Sequence, residues 1–454
     1  MTAPLFVLGA SADGADVLAA SLREVAGAAP VAVSDVDADG ARALARTPGA
    51  RLVAPSPWLA RTGAGEGPWT AVDLAALLAA PADGMRALCA ALGIAYDQAA
   101  LGPVEDAARL AAGRDGDTAF ASTYTPSMAA ALRALGGALL VSTYQSGRLV
   151  CLRATEDGLN THFRPVDKPM GIAVGPGRFS LGTRTEIWDL RDVPGIAAHL
   201  DPPGAHDACF LPRHRHVTGD VAVHEMGFAG GELWLVATAF SCLATLDADH
   251  SIVPRWTPPW ISAVAAGDRC HLNGMCVVDD RVRYVTALGR TDEPRGWHAG
   301  KATGGVLYDV VAEEVVAAGL SMPHSPRVWD DRLWVLQSGL GALGVVDPAD
   351  GTVEVVCELP GFTRGLTIVG GYAFVGLSQI RETSTFGDLP VVQRLDERQS
   401  GVWMVDLRSG AIAGFLRFED LVQEVFDVAL LPGTRYPEIA DPSSTAVART
   451  VQLP

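Results

Sequence analysis

The chain lacks most of the short signatures that identify an enzyme or a binding protein from sequence. Its 454 residues include only seven cysteines, at 89, 151, 209, 242, 270, 276 and 357. The count is odd and no CxxC occurs, which argues against a disulfide framework and a zinc knuckle. No Lys/Arg cluster is present, and the net charge of −17 speaks against nucleic acid or an anionic membrane as partner. No run reaches the roughly 18 apolar residues that a membrane span needs. The first residues, MTAPLFVLGASADGADVLAA, lack a basic n-region and carry Asp early, unlike a secretory signal. There is no GxSxG nucleophile elbow. The Gly-rich GWHAGKATGG (296–305) lacks the GxxxxGK[ST] spacing of a phosphate loop. The expectation is a globular protein of the reducing cytoplasm.

What is present divides the chain into two unlike halves. A length of 454 residues exceeds one ordinary core and predicts two domains or a repeat array. Residues 1–120 read as a small α/β domain: PLFVLGA is a buried strand and ADVLAASLREVAG an amphipathic helix. DLAALLAAPADGMRALCAALG is a pair of helices broken at Pro81, and 121–136 a helical connection. From 137 onward short alternating strands are separated by Gly, Asp and Pro turns, as in GALLVSTYQSGRLVCLR and GVWMVDLRSGAIAGFLRFE.

This β region repeats. Six apolar runs align: KPMGIAV (168–174), HEMGFA (224–229), HLNGMCV (271–277), HSPRVWD (324–330), FTRGLTI (362–368) and EVFDVAL (424–430). Their spacing suits four-stranded propeller blades of about 40–50 residues. The longer intervals require insertions, expected at 190–218, 288–303 and 379–399. Too little chain follows the sixth run to finish a blade, whereas 137–167 holds unclaimed strands. The predicted fold is therefore mainly β: a six-bladed β-propeller over 137–454, closed by strands from both ends of the β region.

Inner strands line a propeller's channel, so the first aligned position forms a ring. It holds Lys168, His224, His271, His324, Phe362 and Glu424. Three imidazoles and a carboxylate suit a divalent transition metal, with iron or copper preferred over zinc or manganese. The competing reading is a polar channel mouth. Glu225, Asn273, Arg327, Arg364 and Asp427 lie within three residues of the ring, as partners for the imidazoles or as forks for an anionic substrate. Glu424, Arg364, Asn273 and Arg327 are the candidate catalytic residues. His206, His214 and His216 add an HxH pair in the second blade's approach. Segments 296–305 and 381–390 are candidate lids.

Motifs including HVTGDVAVHEM, RCHLNGMCV, GLSMPHSPR, LPGFTRGL and VQEVFDVALLPG resemble a bacterial family of β-propeller proteins catalogued as a domain of unknown function. The resemblance runs over roughly 120–440 and implies a propeller without implying a chemistry. The amino-terminal part is similar to bacterial sulfotransferases in PLFVLGASADGADVLAASL and LLAAPADGMRALCAALGIAYDQAAL. That family's first loop carries Arg, Ser, Gly and Thr for the cofactor phosphates, whereas GASADGAD is acidic. The likeness implies a degenerate remnant that no longer binds the sulfonate donor and serves to dock a protein partner or substrate.

The functional expectation is an iron or copper oxidoreductase or oxygenase acting on a small molecule or peptide. Four-histidine iron propellers supply a fold-level analogy. A calcium-dependent lactonase-like hydrolase using Glu424, Asn273 and Asp427 is the second reading. It is disfavoured by three histidines beside a hard cation. A non-catalytic interaction module is the third.

Overall fold

The computed structural model describes residues 120–379 and 387–453, and nearer the amino terminus 5–8, 22, 31–34, 51–55, 70–73, 77 and 80–92. The chain forms two compact units, the larger comprising Phe120–Ile380 and Asp388–Pro454. In the smaller, strands Leu5–Leu8, Val31–Ser34, Arg51–Pro55 and Thr70–Val72 form one parallel sheet with the first strand between the second and third. Pro81 opens the helix Pro81–Leu92, where a missing N–H costs nothing. The acidic loop at 9–16 lies outside the described residues.

The larger unit is a six-bladed β-propeller. Blade 1 runs from the channel outward as Ile172–Gly175, Arg178–Gly182, Glu186–Asp192 and Ala208–Val217. Blade 2 is Val223–Ala229, Glu232–Ala237, Cys242–Thr245 and Val253–Trp256, and blade 3 is Leu272–Val278, Arg281–Ala287, Gly305–Asp309 and Glu314–Leu320. Blade 4 is Pro323–Trp329, Arg332–Gln337, Ala342–Val346 and Val353–Glu358, and blade 5 is Phe362–Val369, Tyr372–Ser378, Ser400–Asp406 and Ala411–Phe418. Blade 6 takes its inner strand, Asp427–Pro432, from the end of the chain and its others, Gly137–Ser142, Arg148–Ala154 and Leu159–Pro165, from the start of the β region.

Each sheet presents two apolar faces, because alternate side chains point to opposite sides and each side meets another blade. An apolar cluster accordingly fills every gap between successive blades. Cys151, Cys242, Cys270, Cys276 and Cys357 belong to these clusters and act as small hydrophobes. All seven cysteines are free and buried, and burial pushes the Cys151 and Cys242 thiols up to about 12.

Three expectations need correction. The connection before the propeller is a strand, Ser122–Tyr124, then the helix Pro126–Leu135; the strand adds a fifth member to blade 5. The stretch 190–218 is not simply an insertion, since it contains the outer strand of blade 1, to which Pro437–Ile439 adds a parallel partner. The inner strand of blade 6 begins at Asp427, so Glu424 precedes it.

Inner strands approach one another most closely at a column of small residues. Gly365 has φ of +75°, and a Cβ there would lie 2.6 Å from the Asp427 Cα of the next blade. Gly371 has a similar φ of +83° with open space around it. Both Ala variants carry backbone strain, but only Gly365→Ala also forces two blades apart. Urea unfolding should show Gly365→Ala destabilised by on the order of 2 kcal/mol more than Gly371→Ala. Equal midpoints would remove the close packing of blades 5 and 6 from the account.

Candidate functional site at the channel mouth

The backbone just before the inner strands is strained in a repeating way. Lys168 and His271 have φ of 45° and 48°, and Ala222 and Met322, each two residues before a histidine, have 53° and 47°. Left-handed backbone is costly for residues with a Cβ and collects where geometry is over-determined. In blades 2 and 4 it turns a carbonyl onto the following imidazole: Nδ1 of His224 donates to Ala222 O at 3.0 Å, and Nδ1 of His324 to Met322 O at 2.9 Å. Ser338 Oγ also lies 2.8 Å from His324 Nδ1. In blade 3 the same part is played by a carboxylate, with Asp268 Oδ2 2.8 Å from His271 Nδ1.

Carbonyl and carboxylate oxygens only accept, so all three δ nitrogens donate, and the neutral rings of His224 and His324 keep their lone pairs on Nε2. No Nε2 of the three has a hydrogen-bond partner among the described residues, and none is sealed from solvent. His224 and His324 are held neutral, well below the usual imidazole range, by burial and then by the charge of Arg364.

Aromatic rings knit these groups together. His224 and His271 meet edge to face with ring centroids 4.8 Å apart, and Trp297 packs against His271 at 4.5 Å while donating to Asp268. Phe426 packs on His224 at 5.1 Å and carries the Arg364 guanidinium 3.5 Å above its ring. Tyr144 stacks on Phe426, and Lys168 lies 5.5 Å from the Tyr144 ring. Phe362 touches His324. Trp297 belongs to the turn Gly296–Gly300, which places that predicted lid segment beside the site. Lys301 pairs with Asp388, which belongs to the other candidate lid segment.

The predicted ligands are brought together only in part. His224 and His271 are neighbours, but among the described residues no three His, Cys, Asp or Glu side chains converge closely enough to hold a metal ion. Glu424 acts on the site through its charge, which favours the ionised form of Arg364. The HxH pair lies on the outer strand of blade 1. Its rings are 6.3 Å apart, His216 Nε2 meets Ser251 O, and both line a groove of about 720 Å³ between blades 1 and 2. His206 lies 3.5 Å from the Glu438 carboxylate instead. Phe426, Tyr144, Trp297 and Asp268 escaped the reading of the sequence; the signal available was that each sits within three residues of an aligned or Gly-flanked motif.

Residues 126–440 match the family described as Domain of unknown function (DUF4915). The chain belongs to that family. No curated protein matches it. Among solved structures it is similar to one titled "Crystal structure of Nidogen/Laminin Complex", at 10% identity and a TM-score of 0.42, over 65% of this chain and 99% of that one. Among the described residues no helix is long and apolar enough to cross a membrane. The matched residues include the whole histidine ring and the polar cluster close to it.

That cluster engages several predicted catalytic groups. Arg327 donates to Leu366 O at 2.8 Å and to the Met275 and Pro326 carbonyls, and its remaining nitrogen pairs with Glu225. These bonds tie blades 2, 3, 4 and 5 and give Arg327 a positioning role. Asn273 accepts from Thr286 Oγ1 at 2.6 Å. Asp427 accepts from the backbone N–H of Ile172 and of Val428, each at 2.8 Å. With these oxygens committed, Asn273 and Asp427 are poor candidates for a calcium set.

Burial, and then the nearby Glu225 charge, raise the Asp427 carboxyl to about 7. The folded protein therefore retains a proton that the unfolded chain releases near pH 4. Stability from this group is complete below pH 4 and is lost as pH rises to about 7. In Asp427→Asn that loss should vanish, leaving a pH-independent cost for the forfeited acceptor. Chemical denaturation of both proteins from pH 4 to 8 checks it. The difference should grow in favour of the variant by on the order of a few kcal/mol across that window; parallel curves would refute the assignment.

Proposed function

We propose that the channel mouth is the active site of a metal-dependent enzyme acting on a small anionic molecule. In this reading His224, His271 and His324 are the nitrogen ligands of a divalent transition metal, iron or copper before zinc or manganese. The observation that supports it is the shared setting of the three imidazoles. Each δ nitrogen is tied to a local acceptor, and each ε nitrogen is left unpartnered and solvent-reached. That is how metal-binding imidazoles are oriented by their surroundings. Because the rings do not converge here, the proposal requires them to close up when the ion binds. Iron or copper with open positions would supply oxidase or oxygenase chemistry. The chain's own residues would orient the substrate, with Arg364 meeting its negative charge and Trp297 and Phe426 walling off water.

A second reading is favoured by one specific feature. Arg364 places positive charge beside the imidazoles and opposes a bound cation. A metal-free propeller that binds a small anion, without catalysis, uses the same geometry. In either case the amino-terminal unit, with its sulfotransferase-like segments, would serve as a docking surface for a protein partner. The buried free thiols suit a cytoplasmic setting.

Elemental analysis of untagged protein purified without added metal separates the two. The metalloenzyme reading expects about one iron or copper per chain, and His271→Ala should lower occupancy at least tenfold, as loss of a ligand does. No metal after anaerobic reconstitution, or unchanged occupancy in a folded His271→Ala protein, would leave the metal-free reading.

A further inference from the structure

We propose that Arg364 anchors a carboxylate, and that the molecule taken at the channel mouth is a small hydroxy acid whose hydroxyl donates to a histidine ε nitrogen. The inference rests on reading the mouth as the small-molecule site. It does not rest on a metal there.

Two arginines lie near the channel, and the fold treats them differently. All three nitrogens of Arg327 are engaged by backbone carbonyls and Glu225. Arg364 takes none of these roles: among the described residues its guanidinium has no hydrogen bond and no ion pair, yet the residue is partly buried. Glu424, Asp427 and Glu225 steady its charge without pairing with it. A guanidinium cannot shed its proton cheaply, and burial brings this one down only to about 10, so it is cationic at neutral pH. What it lacks is an acceptor for its N–H fork. The Phe426 ring, its centre 3.5 Å from the central carbon of the guanidinium, covers one side of it, so that acceptor must approach from elsewhere. A carboxylate meets such a planar fork with two parallel bonds.

The rest of the mouth narrows the choice. Because each δ nitrogen donates to a backbone carbonyl, His224 and His324 present their ε nitrogens as acceptors. An anion with oxygens in every direction, such as phosphate, sets some of them against these lone pairs. A carboxylate confines its charge to one end, and an adjacent hydroxyl offers the proton that an imidazole lone pair accepts. Phe426, Tyr144, Trp297 and Phe362 pack around these groups and supply apolar surface that a short carbon skeleton would match.

The test uses the full chain after chelator treatment, with metal absence verified, so that it is independent of metal content. Isothermal titration with glycolate, acetate and inorganic phosphate is run at constant ionic strength. Glycolate should bind once per chain and more tightly than either of the others. Arg364→Gln should weaken it at least about tenfold, as expected for a charge-assisted pair, and Arg364→Lys should not restore it, because the fork is gone. His224→Ala and His324→Ala should leave acetate unchanged, and one of them should reduce glycolate to the level of acetate. If Arg364→Gln does not fold, the order of affinities in the unaltered protein still decides. Phosphate binding as well as glycolate, glycolate binding no better than acetate, no glycolate binding at all, or a folded Arg364→Gln protein with full affinity would each overturn the proposal. A protein that binds glycolate and no metal supports this inference and refutes the metalloenzyme; one that holds iron but ignores glycolate does the reverse.

Discussion

The ring is held closed where Asp427–Pro432 pairs with Gly137–Ser142, two segments some 285 residues apart in the chain. A propeller that fails here exposes two sheet edges and the apolar faces of blades 5, 6 and 1. Three residues concentrate the joint. Ser142 Oγ accepts from Asp427 N and donates to Met170 O, while the Asp427 carboxylate accepts from Ile172 N. Closure of the ring and docking of blade 6 on blade 1 are thus one hydrogen-bonded unit, buried from water. Phe426 immediately precedes this joint, and it is the ring on which Arg364 and His224 both rest. The chemistry of the mouth inherits its geometry from the closure.

The same device recurs around the ring. Thr238, Ser338 and Ser378, at or just beyond the ends of second strands, donate to Leu272 O, Thr363 O and Val425 O of the next blade. Each is a buried hydroxyl that satisfies a carbonyl at the start of an inner strand, where the sheet ladder has not yet begun. The staples fix how deeply neighbouring inner strands sit. That is why side chains from separate blades reach one level of the channel, and why His224 and His324, two blades apart, both sense the charge of Arg364.

The propeller could be read from the chain because its causes are local. Alternation, Gly and Asp turns and six aligned runs need no knowledge of distant contacts, and the lack of a final half-blade forced the closure that the structure contains. The edge strands Ser122–Tyr124 and Pro437–Ile439 escaped because three residues carry no periodicity; they are strands only by virtue of the edges they meet. The histidine ring was legible as a column, but its chemistry was not. Whether imidazoles converge depends on backbone angles at Ala222, His271 and Met322 that the residue types do not encourage. Arg327 and Arg364 look alike in the sequence. One is engaged by three carbonyls and a carboxylate, the other is left with open donors, and only the fold distinguishes them.

Under the proposed binding of a small anion, the distribution of charge would select ligands by size. A chain of net charge −17 repels anions from most directions, and that repulsion is screened beyond about 8–10 Å at physiological salt. A polyanion such as nucleic acid extends past that length and meets the acidic surface wherever it is not in the mouth. A small monoanion in the mouth, as proposed, would be shielded from the surface and would meet Arg364 in surroundings where burial strengthens the attraction. The neutral imidazoles of His224 and His324 add no charge beside Arg364, and the other cation near these groups is Lys168, 5.5 Å from the Tyr144 ring. Beyond the mouth, Glu225 offsets Arg327 as a closed pair, and Asp427, held at about 7, is largely spared a charge of its own below neutrality. The polar groups that hold the blades together thus also act on the mouth, since Glu225 and Asp427 favour the charged form of Arg364.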